Sequence, residues 1–501
     1  MTRIDDKPAA SQTPVPAAPP CGRWQRLMDW YAHREAADEP SRRELVSYSI
    51  GGTGVGLGSC TLMLFSTQIW VMNLGLDPRI LGIIAAVKML WDGINDSLFG
   101  HVTDNWRGRW GRRRPFIALG GILFGLMMMG YWWFNPAWPM KYLLIWYTAS
   151  LFLFEGAQTI HSVPYFALGV ELSPSYSGRT RVVAYREFMG RIVNILYPWF
   201  KPLALLGAFG GILYGARVVC MVVGVFVIVA SVYSAATCRE RIQLSTHRKK
   251  EPFLKAVVAT SRNPHFWRLL VINVVIGVMG TLFNQFLGYL SLGYVFGGNQ
   301  AREATFAASL SILGNVVILA GVPATVWFVR RIGKHRALAW MIVTMIVGSL
   351  LKLKCYDPQN PYLMVFLIFF GSFGQKGAVI ILSSMQADVV DTDELNSGHR
   401  REGLFGGVQS TIGKAIGAIT AALSGFVLAF SGYVPALKLN QSLETYHTML
   451  RLGAFGPACC LLLVLCLLWR YPLTETRMKE TRDELERRRV GQPAGGEATA
   501  G

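Results

Sequence analysis

Apolar runs long enough to cross a bilayer recur from residue 45 to about Trp469, and nothing else in the sequence constrains the fold as strongly. A hydrocarbon core about 30 Å thick needs about 20 apolar residues per helix. Inside it every backbone N–H and C=O must be satisfied by the chain itself. The runs fall near 45–72, 79–103, 115–136, 141–170, 184–206, 211–236, 266–295, 304–331, 336–353, 361–389, 402–431 and 446–470. They predict an all-α membrane protein of about twelve transmembrane helices. The boundary near 200–212 is the least sharp, because Pro202 and a glycine-rich stretch blur two runs. Hydrophobic residues make up 52% of the chain and charged residues 16%, against roughly 25% charged in a soluble domain. A soluble enzyme, a disordered chain and a secreted disulfide scaffold are excluded. The cysteines form no CxxC pair and sit mostly in apolar runs, so they suggest neither a metal ribbon nor a disulfide framework.

The formal net charge is +19, but the bases do not make a nucleic-acid face. They sit between the apolar runs, where Lys and Arg hold loops in the cytoplasm. One set of loops carries Arg107, Arg109 and Arg112–Arg114, then Arg179 and Arg181, Arg239 to Lys255, Arg330 to Arg336, and Arg400 and Arg401. The opposite loops hold little beyond Arg79, Lys141, Arg302 and Lys438. Both termini and the 237–264 loop are therefore expected in the cytoplasm. This divides the chain into an N-terminal tail (1–43), a six-helix half (44–236), a linker (237–264), a second six-helix half (265–471) and a C-terminal tail (472–501). Residues 1–43 lack the apolar core of a cleaved signal peptide. Within them Trp24–Trp30 reads equally as a surface amphipathic helix or as part of a disordered tail. Pro472 to Arg489 reads as a solvated helix, and 490–501 as disordered.

A weak internal repeat supports two halves. Gly100-His-Val-Thr-Asp104 leads into Gly111-Arg112-Arg113-Arg114, and Gly321 leads into Arg330-Arg331-Ile-Gly333-Lys334, with Gly111 and Gly333 standing 222 residues apart. Parallel duplicated halves are a transporter architecture, with substrate near the midplane between them.

Ionisable residues inside spans cost about 2.5–3.5 kcal/mol each on insertion scales and mark function by default. The second span reads Lys88-Met-Leu-Trp-Asp92-Gly-Ile-Asn95-Asp96. Lys88, Asp92 and Asp96 share one helix face, and two adjacent carboxylates repel unless a cation or proton joins them. Carboxylate and amide oxygens suit a hard cation such as Na⁺ or H⁺. A Lys88–Asp92 pair, with Asp96 paired to another helix, is the alternative. The fourth span carries Glu155, Thr159, His161 and Ser162 ahead of Pro164, and Thr159 can add an oxygen to the same ion. No second His or Cys lies near His161 at zinc-ligand spacing. The fifth span opens with Arg186 and Glu187, the tenth contains Lys376, and the eleventh contains Gln409 and Lys414. Lys414 and Lys376 can neutralise Asp92 and Asp96 or bind an anionic group of a substrate. At the end of the tenth span Asp388 and Asp391 can pair with the arginine-rich loops in one conformation and release them in another. With Asp104, Arg112 and Arg113 they are candidates for a cytoplasmic gate.

These motifs resemble the glycoside–pentoside–hexuronide:cation symporter family of the major facilitator superfamily, whose familiar member is the melibiose permease. The resemblance covers about residues 44–490. It rests on Trp91-Asp92-Gly-Ile-Asn95-Asp96 with Gly100, Asp104 and the Gly111–Pro115 turn, on Val163-Pro164-Tyr165, and on Ala387-Asp388-Val-Val-Asp391 with Arg401-Glu402-Gly403 and Lys414. It implies a cation-coupled sugar or glycoside symporter. On that pattern Asp92, Asn95, Asp96 and Thr159 form the cation site, Lys414 is the essential lysine beside it, and Arg186 contacts sugar. The family's galactoside-binding acids fall here at about Gly56 and at Ser162, and its tryptophan at Phe166. Galactoside specificity is therefore not expected. With Lys376, Arg186 and His161 nearby, the pocket tilts positive, toward an anionic glycoside such as a uronide. Eukaryotic lysophospholipid symporters share the deep lysine and the Val-Pro-Tyr motif, so a lysophospholipid is the alternative cargo.

The expectation is thus a monomeric symporter in the cell membrane, working by alternating access. It carries a small molecule with Na⁺ or H⁺ as coupling ion and needs no cofactor, no other metal and no nucleic acid. An intramembrane enzyme would need a nucleophile–base or metal cluster. Only His161 with Glu155 and Ser162 offers raw material, and no motif surrounds them.

Overall fold

The computed structural model describes residues 39–173, 176–240, 263–397 and 402–469, with scattered positions between 478 and 487. Twelve long helices order the chain: α1 Arg42–Ser66, α2 Pro78–Asn105, α3 Arg114–Gly130, α4 Met140–Glu171, α5 Tyr176–Leu196, α6 Ile212–Thr237, α7 Pro264–Tyr289, α8 Gln300–Ile332, α9 Lys334–Cys355, α10 Met364–Ser397, α11 Glu402–Phe430 and α12 Leu443–Leu468. Local chemistry sets their starts. Ser41 and Glu44 form a capping box on α1, Asp77 caps α2 ahead of Pro78, and Asn263 caps α7 ahead of Pro264. Each arrangement satisfies N–H groups that a helix start leaves free.

Several boundaries differ from the sequence reading: α3 ends at Gly130 rather than near 136, α10 runs on to Ser397 past 389, and the fifth span and the tail depart further. The fifth span, expected over 184–206, begins at Tyr176 and breaks after Leu196 into a 3₁₀ turn (Tyr197–Trp199) and a short helix (Phe200–Ala204). Pro198 and Pro202 withhold backbone donors there. The tail after Pro472 was expected in solvent, yet Met478 and Thr481 are buried and the Thr392 hydroxyl lies 3.6 Å from the Met478 sulfur. The Trp24–Trp30 segment, residues 241–262 and residues 490–501 lie outside the described residues.

The repeat is visible in backbone geometry. Both α1 and α7 run on into π-helical turns, Thr67–Asn73 and Leu290–Val295. These end 222 residues apart, the offset that separates Gly111 from Gly333. Two six-helix halves in the major facilitator arrangement result. In the first, α3 packs on α4 and α6, and α1 on α6; in the second, α9 packs on α10 and α12, and α7 on α12.

Nine of the described helices are long and apolar enough to cross a membrane, and Arg114–Gly130 is a shorter apolar one. The remaining two long helices are α2 and α5. They are the ones interrupted by Lys88, Asp92 and Asp96 and by Arg186, Glu187 and Arg191.

The most extensive helix pair in the molecule is α2 against α11, which joins the halves. It runs antiparallel. A Cβ on Gly425 would fall 2.2 Å from the Pro78 carbonyl oxygen, and one on Gly82 would fall 2.8 Å from that of Ala421. Glycine lets the two backbones touch there, as small residues do between membrane helices. Further contacts join the halves on the same side, away from the arginine-rich loops. Val71 and Met72 share an apolar cluster with Phe286, Tyr289 and Tyr433, Gln300 Nε2 donates to Asn73 Oδ1 at 3.4 Å, and the Lys201 ammonium lies 2.6 Å from Glu303.

Candidate functional site

The charged residues of α2 meet α11 just past this glycine crossing. Lys414 Nζ lies 3.1 Å from Asp92 Oδ2 and 2.5 Å from Asp96 Oδ2. All three side chains are about one-third exposed, at 36%, 31% and 37%, so they border an open space rather than a sealed core. One ammonium thus answers two carboxylates across the boundary between the halves. Asn95, on the same turn of α2, is buried with its side-chain Nδ2 lacking a hydrogen-bond partner among the described residues, and Thr159 on α4 is buried as well.

Lys88 does not pair with Asp92. Its ammonium lies 2.5 Å from Glu155 on α4, so the alternative pairing read from helix spacing is corrected. Two ammonium groups and three carboxylates therefore gather between α2, α4 and α11, one negative charge in excess. Such an excess inside a membrane favours a monovalent cation.

The residues assigned to substrate are scattered. Arg186 lies 5.5 Å over the exposed Phe166 ring and donates to Glu187 at 3.1 Å. Ser162 is half-buried on the same helix as Phe166. His161 is elsewhere. It is completely buried, a Cβ on Gly120 would fall 2.4 Å from its backbone nitrogen, and neither ring nitrogen has a hydrogen-bond partner among the described residues. The rotation of α4 turns it into the N-terminal bundle against α3, so it faces neither Phe166 nor the charged cluster. Lys376 is exposed on α10 and forms no ion pair with a described residue. The Gln409 side-chain oxygen accepts from Gln386, tying α11 to α10.

The described ion pairs of Asp104, Arg112, Arg113 and Asp388 lie inside their own halves. Arg113 contacts Asp104, donates to the Thr103 hydroxyl at 2.7 Å and reaches Glu171 at 3.5 Å, while Arg112 contacts Glu171. Glu240 accepts from the backbone N–H groups of Arg112, Arg113 and Arg114 at 2.8, 2.8 and 3.0 Å. A carboxylate thereby caps the start of α3, a favourable place for negative charge. Gly111 makes the turn with φ +100°, a backbone that glycine adopts without strain. In the other half Lys334 lies 2.5 Å from Asp388. The described partners of Arg112 and Arg113 do not include Asp388 or Asp391. Lys334 belongs to the basic loops expected to pair with Asp388, whereas sequence reasoning missed Glu171 and Glu240, because each comes from a distant helix end.

Comparisons with known proteins place the chain among transporters. The family described as MFS/sugar transport protein matches residues 47–475. The isoprimeverose transporter of Lactiplantibacillus pentosus is 24% identical, over 84% of this chain and 88% of that protein. The glucuronide carrier protein homolog of Escherichia coli K12 is 21% identical, over 90% and 96%. The sodium-dependent lysophosphatidylcholine symporter 1 of Gallus gallus is 24% identical, over 90% of each chain. Among solved structures, a bacterial homolog of the human lysosomal transporter Spinster, inward-facing and unoccupied, superposes with TM-score 0.64. The identity is 14%, and the match covers 89% of this chain and 99% of that one.

Proposed function

The chain belongs to the MFS/sugar transport protein family, and from that premise we propose that it is a cation-coupled symporter of a glycoside, worked by alternating access. The observation that carries this reading is the bridge from Lys414 on α11 to both Asp92 and Asp96 on α2. Na⁺ or H⁺ entering at Asp92 and Asp96, with Asn95 and Thr159 as neighbouring oxygen donors, replaces the ammonium there. Lys414 is then free to turn toward substrate. Each ligand so raises the other's affinity, and linkage makes that help reciprocal. The excess of one negative charge in the cluster suits one monovalent cation per cycle.

The cargo is a glycoside, with a uronide or another anionic sugar favoured by Arg186, Lys376 and Lys414. The E. coli glucuronide carrier homolog, matched over nearly its whole length, supports that choice. Substrate leaves chemically unchanged. The arginine-rich loops, both termini and the 237–264 linker between the halves 44–236 and 265–471 lie in the cytoplasm, and the working unit is a monomer. Asp104, Arg112, Arg113, Asp388 and Asp391 close the cytoplasmic side in the alternate state. A lysophospholipid cargo is the second reading. It is favoured by the match to the Gallus gallus symporter, no weaker in identity than that to the isoprimeverose transporter.

The test is the melting temperature of purified protein in Na⁺ and in choline at equal ionic strength, beside Asp96→Asn. A ligand that binds only the folded state stabilises it by RT ln(1 + [L]/Kd). A Na⁺-specific rise that Asp96→Asn abolishes is expected. A rise with falling pH instead assigns H⁺. Response to neither cation overturns the coupling.

A further inference from the structure

We propose that a cavity inside the C-terminal half receives the carboxylate of the substrate at Lys352. The inference rests on the glycoside reading above and deepens it. The cavity measures about 310 Å³ and lies among α7, α8, α9, α10 and α12, at the small end of the roughly 300–1,000 Å³ typical of ligand sites. Its walls are mainly leucine, isoleucine and methionine side chains. Six side chains with polar groups line it: Asn284, Ser349, Lys352, Tyr356, Ser372 and Gln375.

Lys352 is the unusual member. It sits in the last turn of α9, and no described carboxylate pairs with it. Among the described residues its one side-chain hydrogen bond runs to the Gly453 carbonyl at 3.1 Å. That carbonyl is available because Pro457, four residues on, has no N–H to complete the α12 ladder. Ser349 donates to the next carbonyl, Ala454, at 2.8 Å. A neutral donor would suffice for Gly453. An ammonium carries three N–H donors, so two remain for a ligand. Unpaired bases within membrane helices face cavities and mark substrate paths.

The rim adds hydroxyl recognition. Asn284 and Gln375 are exposed, and neither makes a hydrogen bond to a described residue. Their amides donate and accept, as sugar hydroxyls require. Between rim and lysine the backbone leaves room, since a Cβ on Gly371 would meet nothing within 4 Å. The lining fits a pyranoside with a carboxylate and an apolar aglycone: amides for the hydroxyls, apolar walls for the aglycone, Lys352 for the acid.

The experiment compares uptake of p-nitrophenyl β-D-glucuronide and p-nitrophenyl β-D-glucoside into proteoliposomes of the full chain. The two differ at one carbon, carboxylate against hydroxymethyl. Wild type should prefer the glucuronide by about 10-fold in kcat/KM, the worth of about 1.4 kcal/mol. Lys352→Gln keeps a donor for Gly453 and should lower glucuronide uptake about 5-fold more than glucoside uptake, cutting that preference to about 2-fold, while Lys352→Arg should restore part of it. Gly371→Leu grows a side chain into the cavity and should lower uptake of both; it decides the matter if Lys352→Gln fails to fold. Glycoside uptake without preference, or a preference unmoved in Lys352→Gln and uptake unmoved in Gly371→Leu, overturns the site and leaves the symport reading standing. Uptake of neither glycoside overturns both.

Discussion

Glu155 controls where Lys88 spends its charge. Lys88 stands one helical turn before Asp92, where an i,i+4 pair would form readily, yet its ammonium lies on Glu155. Asp92 is left to Lys414 alone. Glu155→Gln should release Lys88 onto Asp92, where it competes with the coupling ion. The Na⁺ concentration giving half the thermal shift should then rise about 10-fold, within the usual range of coupling between sites. Lys88→Met added to Glu155→Gln should bring it back toward the wild-type value. A Na⁺ titration of melting temperature across wild type, the single variant and the double checks both. His161 is the contrasting residue. On the sequence it reads either as a packing residue or, beside Ser162, as a ligand contact, and one step along α4 is about 100° of rotation. That step separates a half-buried position from one sealed against Gly120.

At the scale of elements, glycines set how closely the helices α2 and α11 approach. The helices α2 and α11 touch backbone to backbone at Gly82 and Gly425, on the side away from the arginine-rich loops. Gly425→Ala places a methyl 2.2 Å from the Pro78 carbonyl oxygen and 2.7 Å from its carbon, backbone that has no rotamer to give way. The variant should force α2 and α11 apart on that side and shift the chain toward conformations open there. Cysteines in place of Asn73 and Gln300, whose side chains meet across the halves at 3.4 Å, report the change. Their cross-linking yield should fall in Gly425→Ala and hold in Gly417→Ala, where only the flexible Met89 side chain lies close.

Over the whole molecule, the closed side carries a buried ion pair between the halves. Lys201 and Glu303 lie 2.6 Å apart with side chains 14% and 6% exposed, and the Ser291 hydroxyl donates to Glu303 at 3.4 Å. Breaking such a pair by removing one partner costs about 3–5 kcal/mol, because the other charge is stranded. Lys201→Met should therefore lower the melting temperature clearly, and Lys201→Met with Glu303→Gln should recover much of the loss. A melting temperature of Lys201→Met equal to that of wild type would mean the pair adds nothing to closure. Alternating access must open this side, so the pair also sets part of the barrier between states.

The sequence by itself determined the twelve spans, the duplicated halves, and the face of α2 that carries Lys88, Asp92 and Asp96. Those follow from quantities local to the chain: apolar run length, the bilayer's refusal of unpaired backbone, a repeat offset of 222 residues and the helical period. Only the tertiary structure decided that Lys88 belongs to Glu155, that Lys414 bridges both carboxylates, that His161 turns into the bundle, and that Lys352 stands over a cavity opposite Pro457. Each of these depends on the rotation and crossing of helices that are far apart in sequence. Packing sets those angles through contacts such as Gly82 with Ala421 and Gly120 with His161, and no local pattern records them.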